Sequence, residues 1–256
     1  MTQPPPYPDG HRLLAGKRVV VTAAAGTGIG FATARRCAEE GAVVAISDRH
    51  ERRLSESAER LAEVMQAEPV AVACDVTVEA DVQRMFDAVG DFDVLVNNAG
   101  LGGTSPLAEM TDEQWDAVVG VTLTGTMRCT REALRRFKQH GHGGAIVNNA
   151  SVIGWRAQEG QSHYAAAKAG VMALTRCAAV EAAVDGVRVN AVAPSLAMHE
   201  NLAKVTTDEL LAELTSREAF GRAAEPWEVA NVIVFLASDY ASYLTGEVLS
   251  VSSQHP

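Results

Sequence analysis

From Lys17 onward the chain alternates short β-branched runs with segments of helical spacing, and no other feature constrains its fold as much. Val19-Val20-Val21 is followed by glycines at 26, 28 and 30, then by an alanine-rich stretch to Glu40 that Gly41 closes. That order reads as strand, tight turn, helix and glycine stop. Further strands are expected at 42–46, 69–74, 93–96, 144–149, 187–192 and 247–251. Between them, Leu54, Ala58, Leu61 and Met65 share one helical face, as do Val78, Val82, Met85, Phe86 and Val89. A long helix is expected within 112–138, another over 163–184, and a last one opening at Pro226. Strands that are apolar on both faces need cover on both faces. The expectation is an α/β fold: one doubly wound parallel sheet of about seven strands.

A chain of 256 residues suits one α/β domain, and we expect residues 14–256 to be a single domain. Residues 1–13 carry Pro4, Pro5, Pro6 and Pro8 without apolar periodicity, and read as a flexible proline-rich arm. There are 22 basic and 32 acidic residues, a net charge of −10. A surplus of acid argues against a phosphate-backbone surface, so nucleic acid is not expected as a partner. The uncharged stretch after Arg18 ends at Arg35 and is broken by glycines, so no membrane span is expected. No basic leader with an apolar run and cleavage site is seen, and a cytoplasmic location is expected. The cysteines at 37, 74, 129 and 177 have no metal or redox spacing and read as free thiols. His140 and His142 sit among glycines in what reads as a solvated loop, and no metal site is expected.

In an open parallel sheet, ligands lie beyond the carboxyl ends of the strands. After the first strand comes Gly26-Thr27-Gly28-Ile29-Gly30, where bare backbone amides at a helix N-terminus can approach a pyrophosphate. An acid, Asp48, ends the second strand twenty residues after Gly28, which makes a dinucleotide site the expected use of the loop. Asn97-Asn98-Ala99-Gly100 follows the fourth strand and Ser151 the fifth. Tyr164 and Lys168 stand one helical turn apart on one face. A tyrosine of pKa about 10 is a poor acid–base catalyst at neutral pH. A neighbouring ammonium and a cationic nicotinamide ring would both favour its phenolate.

Together these motifs resemble the short-chain dehydrogenase/reductase family, whose fold is of Rossmann type. The resemblance runs from about Leu14 to Val251 and includes Cys74-Asp75-Val76, Ser151 thirteen residues before Tyr164, Arg188 to Pro194, and Phe235 to Asp239. It implies a nicotinamide-dependent oxidoreductase that interconverts a secondary alcohol and a ketone. Tyr164 would exchange the proton, Lys168 would hold the nicotinamide ribose, and Ser151 would orient the substrate oxygen. Gly26, Thr27, Gly28 and Ile29 would cradle the pyrophosphate, Asp48 would take the adenosine ribose with Arg49 beside it, and Asp75 and Val76 would frame the adenine. Asn98, Ala99, Gly100 and Val121 would line the dinucleotide, with Pro194 and Ala197 beside the nicotinamide. Asp48 points to NAD, with NADP as the alternative that Arg49 would serve. A homotetramer with the helices of Thr122 and Tyr164 at one interface is also implied.

The chain departs from the family pattern in four places. Its loop, Thr22-Ala23-Ala24-Ala25-Gly26-Thr27-Gly28-Ile29-Gly30, lacks the first glycine and is one residue longer, and Gly26 is expected to supply the lost backbone freedom. Thr122 aligns with an asparagine that helps hold a water of the family's proton relay, so that water would be lost or held by another group. Ser195 and His199 replace glycine and threonine near the nicotinamide, and Val251-Ser252-Ser253 replaces Asp-Gly-Gly. Leu101, Trp155, Arg156, Gln158, Met198 and His199 are placed to border the substrate pocket, with 196–220 as its lid. The small-molecule substrate could be a CoA or carrier-protein thioester, by similarity to 3-oxoacyl-thioester reductases and to reductases of steroid ring-fragment CoA esters. Two competing readings are a non-catalytic dinucleotide-binding sensor or assembly protein, and a serine hydrolase using Ser151 and His163. The first has no need of a tyrosine–lysine pair, and the second lacks a nucleophile elbow.

Overall fold

Successive strand residues face opposite sides of a sheet, and the three valines of the first strand divide accordingly. Val19 and Val21 enter one core layer and Val20 the other. The computed structural model describes residues 3–198 and 208–253. Its strands are β1 (Arg18–Val21), β2 (Val43–Asp48), β3 (Val70–Ala73), β4 (Val94–Asn97), β5 (Gly144–Asn149), β6 (Val187–Pro194) and β7 (Val248–Val251). They form one sheet of order β3-β2-β1-β4-β5-β6-β7 with every pairing parallel. Helices α1 (Ile29–Glu39) and α2 (Glu51–Met65), and the helix over Pro226–Ala237, cover one face. Helices α3 (Glu79–Val89), α5 (Thr126–His140) and α6 (Ser162–Ala182) cover the other. The remaining helices are α4 (Asp112–Val119) and α7 (Asp208–Ser216), which makes the helix over Pro226–Ala237 α8. The strand order reverses between β1 and β4, which opens a crevice at the carboxyl edge.

Two departures from expectation have physical causes. The long helix is interrupted by a π-helical turn over Gly120–Gly125, between α4 and α5. Gly120 and Gly125 weaken regular helix there, and a Cβ at Gly125 would lie 2.5 Å from Val76 Cγ2, so this turn packs directly against the segment after β3. The proline-rich arm is fastened rather than loose. The Tyr7 hydroxyl donates to Glu39 Oε2 at 2.7 Å, and its ring packs 5.4 Å from that of Trp227. The amides of His11 and Leu13 donate to Glu40 Oε2, whose other oxygen pairs with buried Arg36 at 2.7 Å. A buried carboxylate needs such partners, and the arm supplies two of them.

Candidate active site

The carboxyl edge gathers the chemistry-bearing residues from six strands. After β1, Thr22 is fully buried and its hydroxyl oxygen accepts the amides of Asn98 (3.0 Å) and Ala99 (3.2 Å). This stitches the glycine loop to the turn after β4. Ala23 has φ +50°, and Gly26 has φ +101°. The left-handed backbone that favours glycine is therefore needed at both places, and Gly26 does not relieve Ala23 of it. Gly30 is required for a different reason: a Cβ there would lie 2.3 Å from the Ala23 carbonyl oxygen and 2.4 Å from Asn98 Nδ2. Gly28 caps α1 with no side chain on the first-turn amides, which leaves them for an anion.

The rest of the loop is held from β2 and α2. Asp48, buried at the end of β2, accepts from the amides of His50 (2.9 Å) and Ala25 (3.4 Å). Arg49 is exposed and its Nε donates to His50 at 3.3 Å. Gly26 donates to Ser57 Oγ at 3.0 Å and accepts from Arg60 at 3.2 Å. Ser57 and Arg60 carry no signal in the sequence, because their partner lies over thirty residues away. The Asp75 carboxylate accepts from the amide and hydroxyl of Thr77 at 2.8 and 2.7 Å and so closes its own turn.

Ser151, Tyr164 and Lys168 come together beyond β5. Ser151 Oγ accepts the Ile153 amide at 3.2 Å. It also hydrogen-bonds with Tyr164. Lys168 is buried, its Nζ donates to the Asn149 carbonyl at 2.5 Å, and it stands 5.6 Å from the Tyr164 ring centroid. Burial pushes the lysine down to about 8. Burial also pushes the tyrosine above its ordinary value, against a lowering by the Ser151 hydrogen bond. The expected drop toward neutral is thus not a property of these side chains alone. A positive nicotinamide ring would favour the phenolate in turn. Lys168 makes one hydrogen bond among the described residues while an ammonium has three donors, so its environment fits a ribose hydroxyl pair.

Lys168→Met tests this burial. The native pKa lies below the unfolded value near 10.4, so the penalty is full below about pH 8 and is relieved as pH rises through that window. The shift is worth about 3 kcal/mol, partly offset by leaving the Asn149 carbonyl unpaired at about 1–3 kcal/mol. The variant should melt about 2–4 °C higher at pH 7, with the gain shrinking above pH 8, while turnover falls. Thermal unfolding at pH 7 and 9.5 checks it, and a gain that grows with pH would contradict it.

Thr122 does not bond back to its own helix. Its hydroxyl donates to the Leu101 carbonyl (3.2 Å) and accepts the Leu101 amide (3.0 Å), so it clamps the turn that carries Gly100. Thr126 makes the back-bond instead, to the Thr122 carbonyl at 2.8 Å. Val121 and Val76 lie beside this turn. Buried His163 accepts the Tyr164 amide on Nδ1 at 2.9 Å, while its Nε2 faces Gly103. Nothing couples it to Ser151 as a hydrolase would need. Pro194 ends β6 and buried Ala197 bridges to Ala224. Glu218, missed in the sequence, accepts from the Leu196 amide (3.4 Å) and the Ser253 hydroxyl (2.7 Å), which explains a serine in the altered tail. Trp155 is half exposed four residues after Ser151. His199 and much of the expected lid lie outside the described residues. No helix of the described residues is long and apolar enough to cross a membrane.

The family model described as Enoyl-(Acyl carrier protein) reductase matches residues 23–253. A Mycobacterium tuberculosis protein, (5R,7aS)-5-hydroxy-7a-methyl-1-oxo-2,3,5,6,7,7a-hexahydro-1H-indene-carboxyl-CoA reductase, is 64% identical over 251 residues and covers 96% of both chains. The 3-oxoacyl-[acyl-carrier-protein] reductase of Vibrio harveyi is 37% identical over 239 residues, 93% of this chain and 97% of that one. A crystal structure of a short chain dehydrogenase from Mycobacterium smegmatis superposes with a TM-score of 0.88 at 58% identity, covering 99% of both chains. With these likenesses spanning almost its whole length, the chain is an oxidoreductase using a nicotinamide dinucleotide, and it belongs to the short-chain dehydrogenase/reductase family.

Proposed function

We propose that the protein prefers NAD(H) and interconverts a ring ketone and its secondary alcohol on a bulky CoA thioester. The grouping of Ser151, Tyr164 and Lys168 beyond β5 carries the reaction type. The 64% likeness to a reductase named for a bicyclic carboxyl-CoA supports the substrate class, and half-exposed Trp155 offers an apolar face for such a ring. The α1 amides, Asp48 and Lys168 would hold the dinucleotide, which would supply or take the hydride. Ser151 donates its hydroxyl hydrogen to the substrate oxygen. Tyr164, kept protonated by its burial, gives that oxygen its proton in ketone reduction. Lys168 holds positive charge close to the phenolate that remains.

Spectrophotometry at the reduced-nicotinamide band tests the reading with cyclic-ketone CoA esters, linear 3-oxoacyl-CoA esters and carrier-protein thioesters. Higher kcat/KM on linear or carrier-bound thioesters would overturn the ring assignment. Exposed Val180 and Val184 at the end of α6 and the adjoining turn, with Trp115 on α4, support a homotetramer. A light-scattering mass of one chain would remove that part. Four thiols without a disulfide suit a reducing cytoplasm.

The cofactor preference has an electrostatic basis. Asp48 keeps lone pairs for a ribose diol but repels a 2′-phosphate, by roughly 4 kcal/mol for unit charges about 4 Å apart at an effective dielectric of 20. Screening reduces this, and Arg49 is turned toward His50. Even about 2 kcal/mol is more than tenfold. NADH should therefore give at least tenfold higher kcat/KM than NADPH, and the reverse ratio would show that Arg49 prevails.

A further inference from the structure

An alanine in the left-handed region is strained relative to glycine, so Ala23 must be held there. The grip comes from Asn98, whose Nδ2 donates to the carbonyls of Ala23 (3.0 Å) and Thr22 (3.2 Å). It works in one orientation of the amide only. Rotated by half a turn, Asn98 would set its oxygen against two carbonyls. Asn149 prevents this, because its Nδ2 donates to Asn98 Oδ1 at 3.0 Å. Asn149 stands at the end of β5, and its main-chain carbonyl is the acceptor of Lys168. One residue therefore touches both the dinucleotide loop's anchor and the buried lysine.

We propose that Asn149 is a positioning residue for the dinucleotide site: its side-chain amide locks Asn98, and Asn98 in turn holds Ala23 in the turn where the family pattern has glycine. The inference rests on the reading that this loop binds the dinucleotide. It also ties two sequence features that look independent, the missing first glycine and an asparagine two residues before Ser151.

The test is titration of NADH into wild type, Asn149→Ala, Asn149→Leu, Ala23→Gly and the Asn149→Ala/Ala23→Gly double variant. Both Asn149 variants should bind about fivefold to tenfold more weakly, since one partly buried hydrogen bond and the order it imposes are lost. Ala23→Gly alone should bind within about twofold of wild type. The double variant should recover to within about twofold, because glycine adopts the turn without the lock. A merely structural role for Asn149 would weaken binding equally in both backgrounds, and that result, or unchanged binding in the Asn149 variants, would overturn the proposal. If both Asn149 variants fail to fold, refolding in the Ala23→Gly background supports it, and failure there too overturns it. Absence of NADH binding by wild type would sink the dinucleotide reading itself, a result distinct from binding that ignores Asn149.

Discussion

Tyr164→Phe should lower turnover by about 10²–10⁴-fold while NADH binding stays within about twofold of wild type. The substitution removes the hydroxyl and leaves the ring packing. On the proposed reading the lost group is the proton donor next to Ser151, and among the described residues no second acid stands in its place: Lys168 is turned to the Asn149 carbonyl and His163 to a backbone amide. The pH profile carries a sign as well. Burial favours the protonated phenol, so ketone reduction should persist through neutral pH, whereas alcohol oxidation needs phenolate and should climb as pH rises. Single-turnover rates in both directions over pH 6–10 measure this. Near-normal turnover by Tyr164→Phe, or oxidation that falls with rising pH, would refute the assignment.

Gly30→Ala should lower the melting temperature by about 4–10 °C and abolish measurable dinucleotide binding. The added Cβ would meet a backbone oxygen at 2.3 Å, and backbone cannot swing aside as a side-chain end does. Overpacking of this kind costs about 1–3 kcal/mol, and a domain of this size loses about 2–4 °C per kcal/mol. Relief would require α1 to lift from the turn holding Ala23 and Asn98, which displaces the first-turn amides from the anion. Gly102→Ala is the control, since a Cβ there meets nothing within 4 Å. Calorimetry and NADH titration of the two variants decide it, and equal behaviour would show that the close approach is unimportant.

The seven strands and most helices were legible in the sequence because their signals are local. A β-branched run such as Val19-Val20-Val21 needs two covered faces whatever surrounds it, and the stripe of Val82, Met85, Phe86 and Val89 marks one buried side of α3. Ser151, Tyr164 and Lys168 were legible for the same reason: strand end and one helical turn are short-range geometry, and the parallel sheet brings them to one edge. What tertiary structure decided were choices between partners distant in sequence. Thr122 could bond its own helix or another segment, and only the approach of Leu101 selected the second. The arm of 1–13 has no periodicity to betray docking, which depends on the buried charge of Glu40. The direction of the Tyr164 shift depends on how deeply the folded chain buries the phenol, and composition does not encode that depth. Local pattern determines which elements form, and the desolvation and hydrogen-bond partners that set the site's chemistry exist only once those elements pack.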